Sequence, residues 1–246
     1  MRLPRLFLDA ELETGQEIDL PRDRAHYLLH VLRLTPGARL TVFDGRRPQD
    51  FSAELIQAGR KQARLRLGTA RANPLESPLD SLLIQAVGKP DSIDWLVQKT
   101  TELGLRRLRL FNAERTQTPL RGARRAKKLA HWRAIAASAC EQCGRSLLPG
   151  IDFVEEYDSA LVVEGERSRL MLDFDGTAHP SALGKPSAPS ALACLIGPEG
   201  GLSAAEIDHA RQAGYAGWRL GPRVLRMETA AVTALALMQQ AAGDLR

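Results

Sequence analysis

The chain has 246 residues, 44% of them apolar, enough for one large domain or two ordinary ones. No apolar run approaches the ~20 residues needed to cross a bilayer, and three cysteines (Cys140, Cys143, Cys194) are too few for a disulfide framework, so a cytoplasmic, non-membrane protein is expected. The net charge of +5 is unevenly spread: from Arg106 to Arg145, eleven lysines and arginines face only Glu114 and Glu141, a net +9 that leaves −4 for the rest of the chain. A concentrated basic face is the footprint of a polyanion such as RNA or DNA.

The first residues, Met1 to Asp9, hold a short apolar stretch that soon turns acidic, which reads as a first strand and not as a secretory signal. A short helix is expected from about Arg22 to Leu32, starting just after Pro21. Alternating strands follow at Arg39–Gly45, Asp50–Ile56 and Gln62–Leu67, a texture that suggests a small barrel. The polar stretch Arg71–Pro78, with two prolines, is the best linker, so residues 1–72 and 79–246 are expected to form separate domains. Beyond it, apolar strands (Leu82–Val87, Leu108–Phe111, Arg169–Phe174, Ala191–Ile196) alternate with helical segments. Ile93, Leu96, Val97, Thr100 and Leu103 share one helical face, and Gly104 stops that helix. A long helix is expected from about Ala126 to Gln142, and a loop over Pro180 to Pro189. Ser203 to Glu206 spells a capping box that opens a helix ended by Gly214. This rhythm implies a mostly parallel sheet covered on both faces.

Two glycine-bearing turns stand out, Gly197-Pro198-Glu199-Gly200-Gly201 and Leu220-Gly221-Pro222 through Arg226-Met227-Glu228-Thr229, each between a short apolar run and a helix. Turns at the ends of buried parallel strands are where open α/β sheets bind ligands, and two so close in sequence suggest one shared site. The first turn has neither the Gly-x-Gly-x-x-Gly dinucleotide spacing nor a Walker lysine, so it suits backbone contacts to an adenine or ribose better than a phosphate cradle. Glu228 and Thr229 are expected to cap the last helix, and Arg226 needs a partner in Glu228, Glu199 or a substrate. Cys140-Glu141-Gln142-Cys143 lacks the second ligand pair that zinc requires, and a redox pair normally sits at a helix start, so no metal is expected there. His26 and His30, one helical turn apart, read as a half-exposed helix face that, with Arg33, could meet a phosphate backbone.

Taken in order, Lys99-Thr100-Thr101-Glu102-Leu103-Gly104, Glu141-Gln142-Cys143-Gly144-Arg145, Ile196–Gly201, Leu220-Gly221 and Val224–Ala230 resemble the RsmE family, the 16S ribosomal RNA uridine-N3 methyltransferases of the SPOUT class. Arg5-Leu6-Phe7 and His30-Val31-Leu32-Arg33 match the same family's RNA-binding barrel, so the likeness runs end to end. Leu202 stands where an aromatic is common and Met227 where a threonine is common. The resemblance implies an α/β fold: an N-terminal PUA-like β-barrel and a C-terminal SPOUT domain with a mostly parallel sheet and a deep trefoil knot. It also implies a homodimer, S-adenosylmethionine as cofactor, and small-subunit ribosomal RNA as substrate. On that basis main-chain groups around Leu172, Ile196, Gly197, Gly201, Leu220, Gly221 and Leu225 would hold the cofactor. Arg226 would stabilise charge developing on the uracil ring, with Glu228 or Glu199 as base or as the group that orients it. Arg115, Gln142 and Arg145 would meet the RNA, and Arg5, His30 and Arg33 would grip its backbone elsewhere. A related methyltransferase acting on another RNA position, or a non-catalytic assembly factor, would share most of these features.

Overall fold

The computed structural model describes residues 3–59, 62–165, 167–178 and 191–245, and its chain divides into two units, Met1–Glu76 with Cys140–Leu148 and Ser77–Ala139 with Pro149–Arg246. The loop expected over Pro180 to Pro189 lies outside the described residues.

In the first unit, strands β1 (Arg5–Phe7), β2 (Glu17–Asp19), β3 (Arg39–Phe43), β4 (Gln49–Ala58) and β5 (Ala63–Ala72) form one sheet in the order β1-β3-β4-β5-β2. β1 runs parallel to β3 and the other pairs are antiparallel. Alternation decides the inner face: Phe51, Ala53 and Leu55 of β4 and Ala63, Leu65 and Leu67 of β5 are buried against Leu6, Leu28, Leu40 and Val42. Helix α1 (Arg22–His26) begins after Pro21 and widens into a π-turn over Tyr27–Val31, where the Leu32 N–H donates to Tyr27 O. Arg33 then takes a left-handed backbone (φ 54°), rare outside glycine, and ends the helical segment.

The returning segment Cys140–Leu148 is fixed to this unit by a buried polar cluster. Both Arg5 Nη atoms donate to Asp50 (2.8 and 2.9 Å), and Nη2 also reaches the Arg145 carbonyl and Ser146 Oγ. Glu76 accepts from the Arg145 guanidinium and from the N–H groups of Ser146 and Leu147. Asn73 Nδ2 donates to Gly144 O and Ser146 Oγ. Burial is the largest influence on Asp50 and pushes its pKa up, but the bonds from Arg5 and Ser146, the Arg5 charge and the Asn73 amide outweigh it and hold the carboxyl below its ordinary value.

The second unit is built on six parallel strands, β6 (Asp80–Ala86), β7 (Arg107–Phe111), β8 (Gly150–Val154), β9 (Ser168–Leu172), β10 (Ala191–Ile196) and β11 (Ala216–Trp218), ordered β11-β9-β10-β6-β7-β8. Successive side chains divide between two cores. Leu83, Val87, Cys194 and Ile196 pack with α2 (Pro90–Glu102), Trp132 of α3 (Gly122–Cys143) and α6 (Met227–Ala242). Leu82, Ile84, Ala193 and Leu195 pack on the other face with α4 (Tyr157–Leu161) and α5 (Ala204–Gln212). Both faces are covered, which is why these strands read as nearly unbroken apolar runs. Gly104 follows α2 at φ +81°, and Ser203 and Glu206 form a reciprocal capping box at α5. The sequence reading named neither β2, β8 and β11 nor α4; all four are only three to five residues long.

Candidate active site

The carboxyl ends of β9, β10 and β11 open onto a cavity of about 410 Å³ in the second unit. Both glycine-bearing turns line it, from Ile196 to Leu202 and from Arg219 to Leu225. All seven positions expected to hold a cofactor, Leu172, Ile196, Gly197, Gly201, Leu220, Gly221 and Leu225, fall on its wall, with Trp218 and Ala230 adding apolar surface. The volume is within the range of small-molecule sites.

Three glycines shape the wall for different reasons. A Cβ on Gly197 would stand 2.9 Å from the Leu202 nitrogen, so the turn closes only because that atom is missing. Gly201 has φ +70°, and its N–H donates to Pro198 O to close the turn. Gly88, at the end of β6, was not singled out in the sequence, yet a Cβ there would lie 2.7 Å from Met227 and 3.0 Å from Glu199 Oε1. It lets three chain segments converge beside the cavity.

The charged residues fall into distinct groups. Glu199 lines the cavity and accepts a bond from the Lys89 N–H (3.1 Å), at the start of α2. Arg115 also lines it, and Nη1 reaches the carbonyls of Gly200 and Leu202 (3.3 Å each). Glu206 holds the neighbouring loop in place, taking the N–H of Glu114 on one oxygen and that of Ser203 on the other. Arg226 lies between two lining residues, Leu225 and Met227, and is exposed, with no hydrogen bond or ion pair from its side chain among the described residues. It stands at the N-cap of α6, and no side chain caps that helix. The expected capping by Glu228 and Thr229 is therefore absent. Glu228 instead sits in the first helical turn, where a carboxylate is favoured by the helix dipole.

The expected RNA contacts are placed differently from one another. His30 and Arg33 are exposed in the first unit, with the His26 and His30 rings 4.8 Å apart. Gln142 is exposed as well. Arg5 and Arg145 are not: their side chains are 8% and 4% exposed and bound to Asp50 and Glu76. Motif matching could not have separated them, because nothing in a local sequence marks a carboxylate distant along the chain.

Neither buried thiol is poised to react. Cys194, on β10, is pushed up by burial, and Cys140 is pushed up by its hydrogen bond with Cys143 and then by burial. At the basic start of α3, Arg125 pairs with Glu155, while Arg124 and Lys127, one helical turn apart, stand exposed, as does Arg121 just before the helix.

Comparison with known proteins bears on both units. Residues 75–239 match the RNA methyltransferase domain family, and residues 20–68 match the RNA methyltransferase PUA domain family. The ribosomal RNA small subunit methyltransferase E of Buchnera aphidicola (subspecies Schizaphis graminum) is 30% identical over 99% of this chain and 98% of its own length. Among solved structures, a ribosomal RNA small subunit methyltransferase E from Neisseria gonorrhoeae, bound to S-adenosyl methionine, is 34% identical with a TM-score of 0.89. A Legionella pneumophila protein described as a methyltransferase, in complex with the cofactor SAM, is 34% identical with a TM-score of 0.92. Each of these two comparisons covers the whole of both chains.

Proposed function

This chain belongs to the ribosomal RNA small subunit methyltransferase E family, and on that premise we propose that it methylates N3 of a uridine in 16S ribosomal RNA, using S-adenosylmethionine. The observation that carries this reading is the convergence of both glycine-bearing turns on one cavity. Its fit to the cofactor rests on the wall itself. Apolar Leu172, Ile196 and Leu225 suit an adenine ring, and a Cβ at Gly197 would intrude on the turn. When bound, the sulfonium supplies an activated methyl group.

The chain's own residues supply position and charge. The backbone around Gly197, Gly201, Leu220 and Gly221 holds the cofactor. Arg226, exposed and with no side-chain partner among the described residues, would face the developing negative charge of the uracil ring, and Glu228 or Glu199 would take the N3 proton or orient Arg226. N3 lies on the Watson–Crick edge, so the uridine must be unpaired to reach the site. Arg115 on the cavity rim and the unpaired Arg121, Arg124 and Lys127 offer phosphate contacts, as do His30 and Arg33 in the first unit. Gln142 is the remaining exposed candidate. Arg5 and Arg145 serve better as internal struts than as RNA contacts.

The domain assignment, residues 1–72 for RNA grip and 79–246 for catalysis, belongs to the same proposal, as do the homodimer and the cytoplasmic setting. The trefoil knot belongs to the same proposal; the chain passes from β10 over β9 to β11 before α6 returns to pack on β6 and β10. No helix of the described residues is long and apolar enough to cross a membrane. The test is methyl transfer from labelled S-adenosylmethionine to 16S RNA and to assembled small subunits, with the product nucleotide mapped by mass spectrometry. Labelling at N3 of one uridine is expected. Labelling elsewhere would point to a related methyltransferase, and cofactor binding without transfer to either substrate would point to an assembly factor.

A further inference from the structure

Strand β6 reads Asp-Ser-Leu-Leu-Ile-Gln-Ala, and Gln85 is the residue that does not belong in an apolar strand end. It is fully buried, between Ile196 of β10 and Leu110 of β7 in the sheet register. By alternation it shares its face with Leu83 and Val87, which belong to the apolar core under α2 and α6. Its Nε2 donates to Ala86 O at 2.9 Å and reaches Gly197 O at 3.4 Å. Its Oε1 is buried with no hydrogen-bond partner among the described residues. Gln239 of α6 is equally buried, but both ends of its amide are bonded, to Ser77 Oγ and Leu103 O.

An orphaned buried acceptor costs about 1–3 kcal/mol, so stability alone favours leucine or methionine at position 85. The compensating gain lies at the other end of the amide. Ala86 and Gly197 are where two adjacent parallel strands finish and their chains part around the cavity. There the Gln85 amide adds a side-chain bond to the carbonyls of both segments.

We propose that Gln85 is a positioning residue for the cofactor turn: it clasps the last carbonyl of β6 and the Gly197 carbonyl just beyond β10, and so sets the peptide plane from which the turn Gly197–Gly201 departs. The inference rests on the reading of this cavity as the S-adenosylmethionine site. Gln85 touches no reacting atom, so its loss acts through Gly197.

The experiment compares wild type with Gln85→Met and Gln85→Leu, by calorimetric titration with S-adenosylmethionine and by thermal melting. In Gln85→Met the orphan acceptor is gone and the volume is kept, so the melting temperature should hold or rise while cofactor affinity falls roughly five- to tenfold, the loss of about one hydrogen bond's worth of order. At saturating cofactor, kcat should stay within about twofold of wild type, because only binding depends on the clasp. Unchanged affinity in Gln85→Met would overturn the proposal, and so would a melting temperature that falls in step with affinity, since that is what a merely structural residue gives. Gln85→Leu likewise lacks the donor, and should bind as weakly as the methionine variant; wild-type affinity in it would also overturn the clasp. Failure of the wild type to bind the cofactor would sink the functional reading instead, so the two failures are separable.

Discussion

At the cavity, Arg226 and Arg223 are exposed, with no side-chain partner among the described residues, whereas in the first unit Arg5 and Arg145 are buried, each on a carboxylate. The residue type is the same, and the surroundings assign it opposite work. A buried guanidinium bound to Asp50 or Glu76 holds the chain together and presents little to an incoming phosphate. An exposed, unpaired one beside a cavity holds nothing in the free protein, and so its charge is available to a ligand. Four arginines thus divide into two buried on carboxylates and two exposed without a partner among the described residues.

The comparison can be broken at its strongest point first. Arg226→Ala should lower kcat by about a hundredfold or more, the usual loss on removing a charge-stabilising donor, while calorimetric cofactor affinity stays near wild type. Near-normal turnover would remove Arg226 from the working group. Arg145→Ala should do the reverse, costing about 3 kcal/mol of stability in urea denaturation because Glu76 is left without its guanidinium. If stability were unchanged and only RNA affinity fell, Arg145 would be no strut. Gly197→Val should weaken cofactor binding by tenfold or more, since even the first added carbon would lie 2.9 Å from the Leu202 nitrogen.

Acid sharpens the same contrast. Asp50 has a folded pKa below its ordinary 3.8, so the stability it contributes is complete above that value and is lost as pH falls through the folded pKa. Asp50→Asn should flatten that limb of a stability–pH curve; an unchanged limb would mean the cluster is not held by charge. The smallest effect is expected at the basic start of α3. Changing Arg121, Arg124 and Lys127 to glutamine should reduce the salt slope of RNA binding by about two to three, leaving melting and cofactor affinity alone.

Four of the six parallel strands were legible because they are apolar runs separated by well-signalled helices; Gly104, Gly214 and the Ser203–Glu206 box sit where their chemistry predicts. The cavity wall was legible for a related reason, since tight turns demand glycine and glycine is visible. What stayed hidden depends on meetings between distant residues. Nothing local announces that Asp50, Asn73 and Glu76 wait for Ser146 and Arg145, or that Gly88 makes room for Met227 and Glu199. The capping expected of Glu228 and Thr229 failed on geometry, because the helix begins at Met227 and puts Glu228 inside its first turn.

The first unit takes its last piece from a stretch far downstream, Cys140–Leu148. During synthesis the sheet can pair as soon as β5 emerges, and Arg5 can already bind Asp50, but Asn73 and Glu76 must wait in water until Leu148 has left the ribosome. A fragment cut at Glu76 would carry those unmatched groups permanently. The amino-terminal half is therefore a poor candidate for transplantation by itself, and a transferable version must carry the distant loop with it.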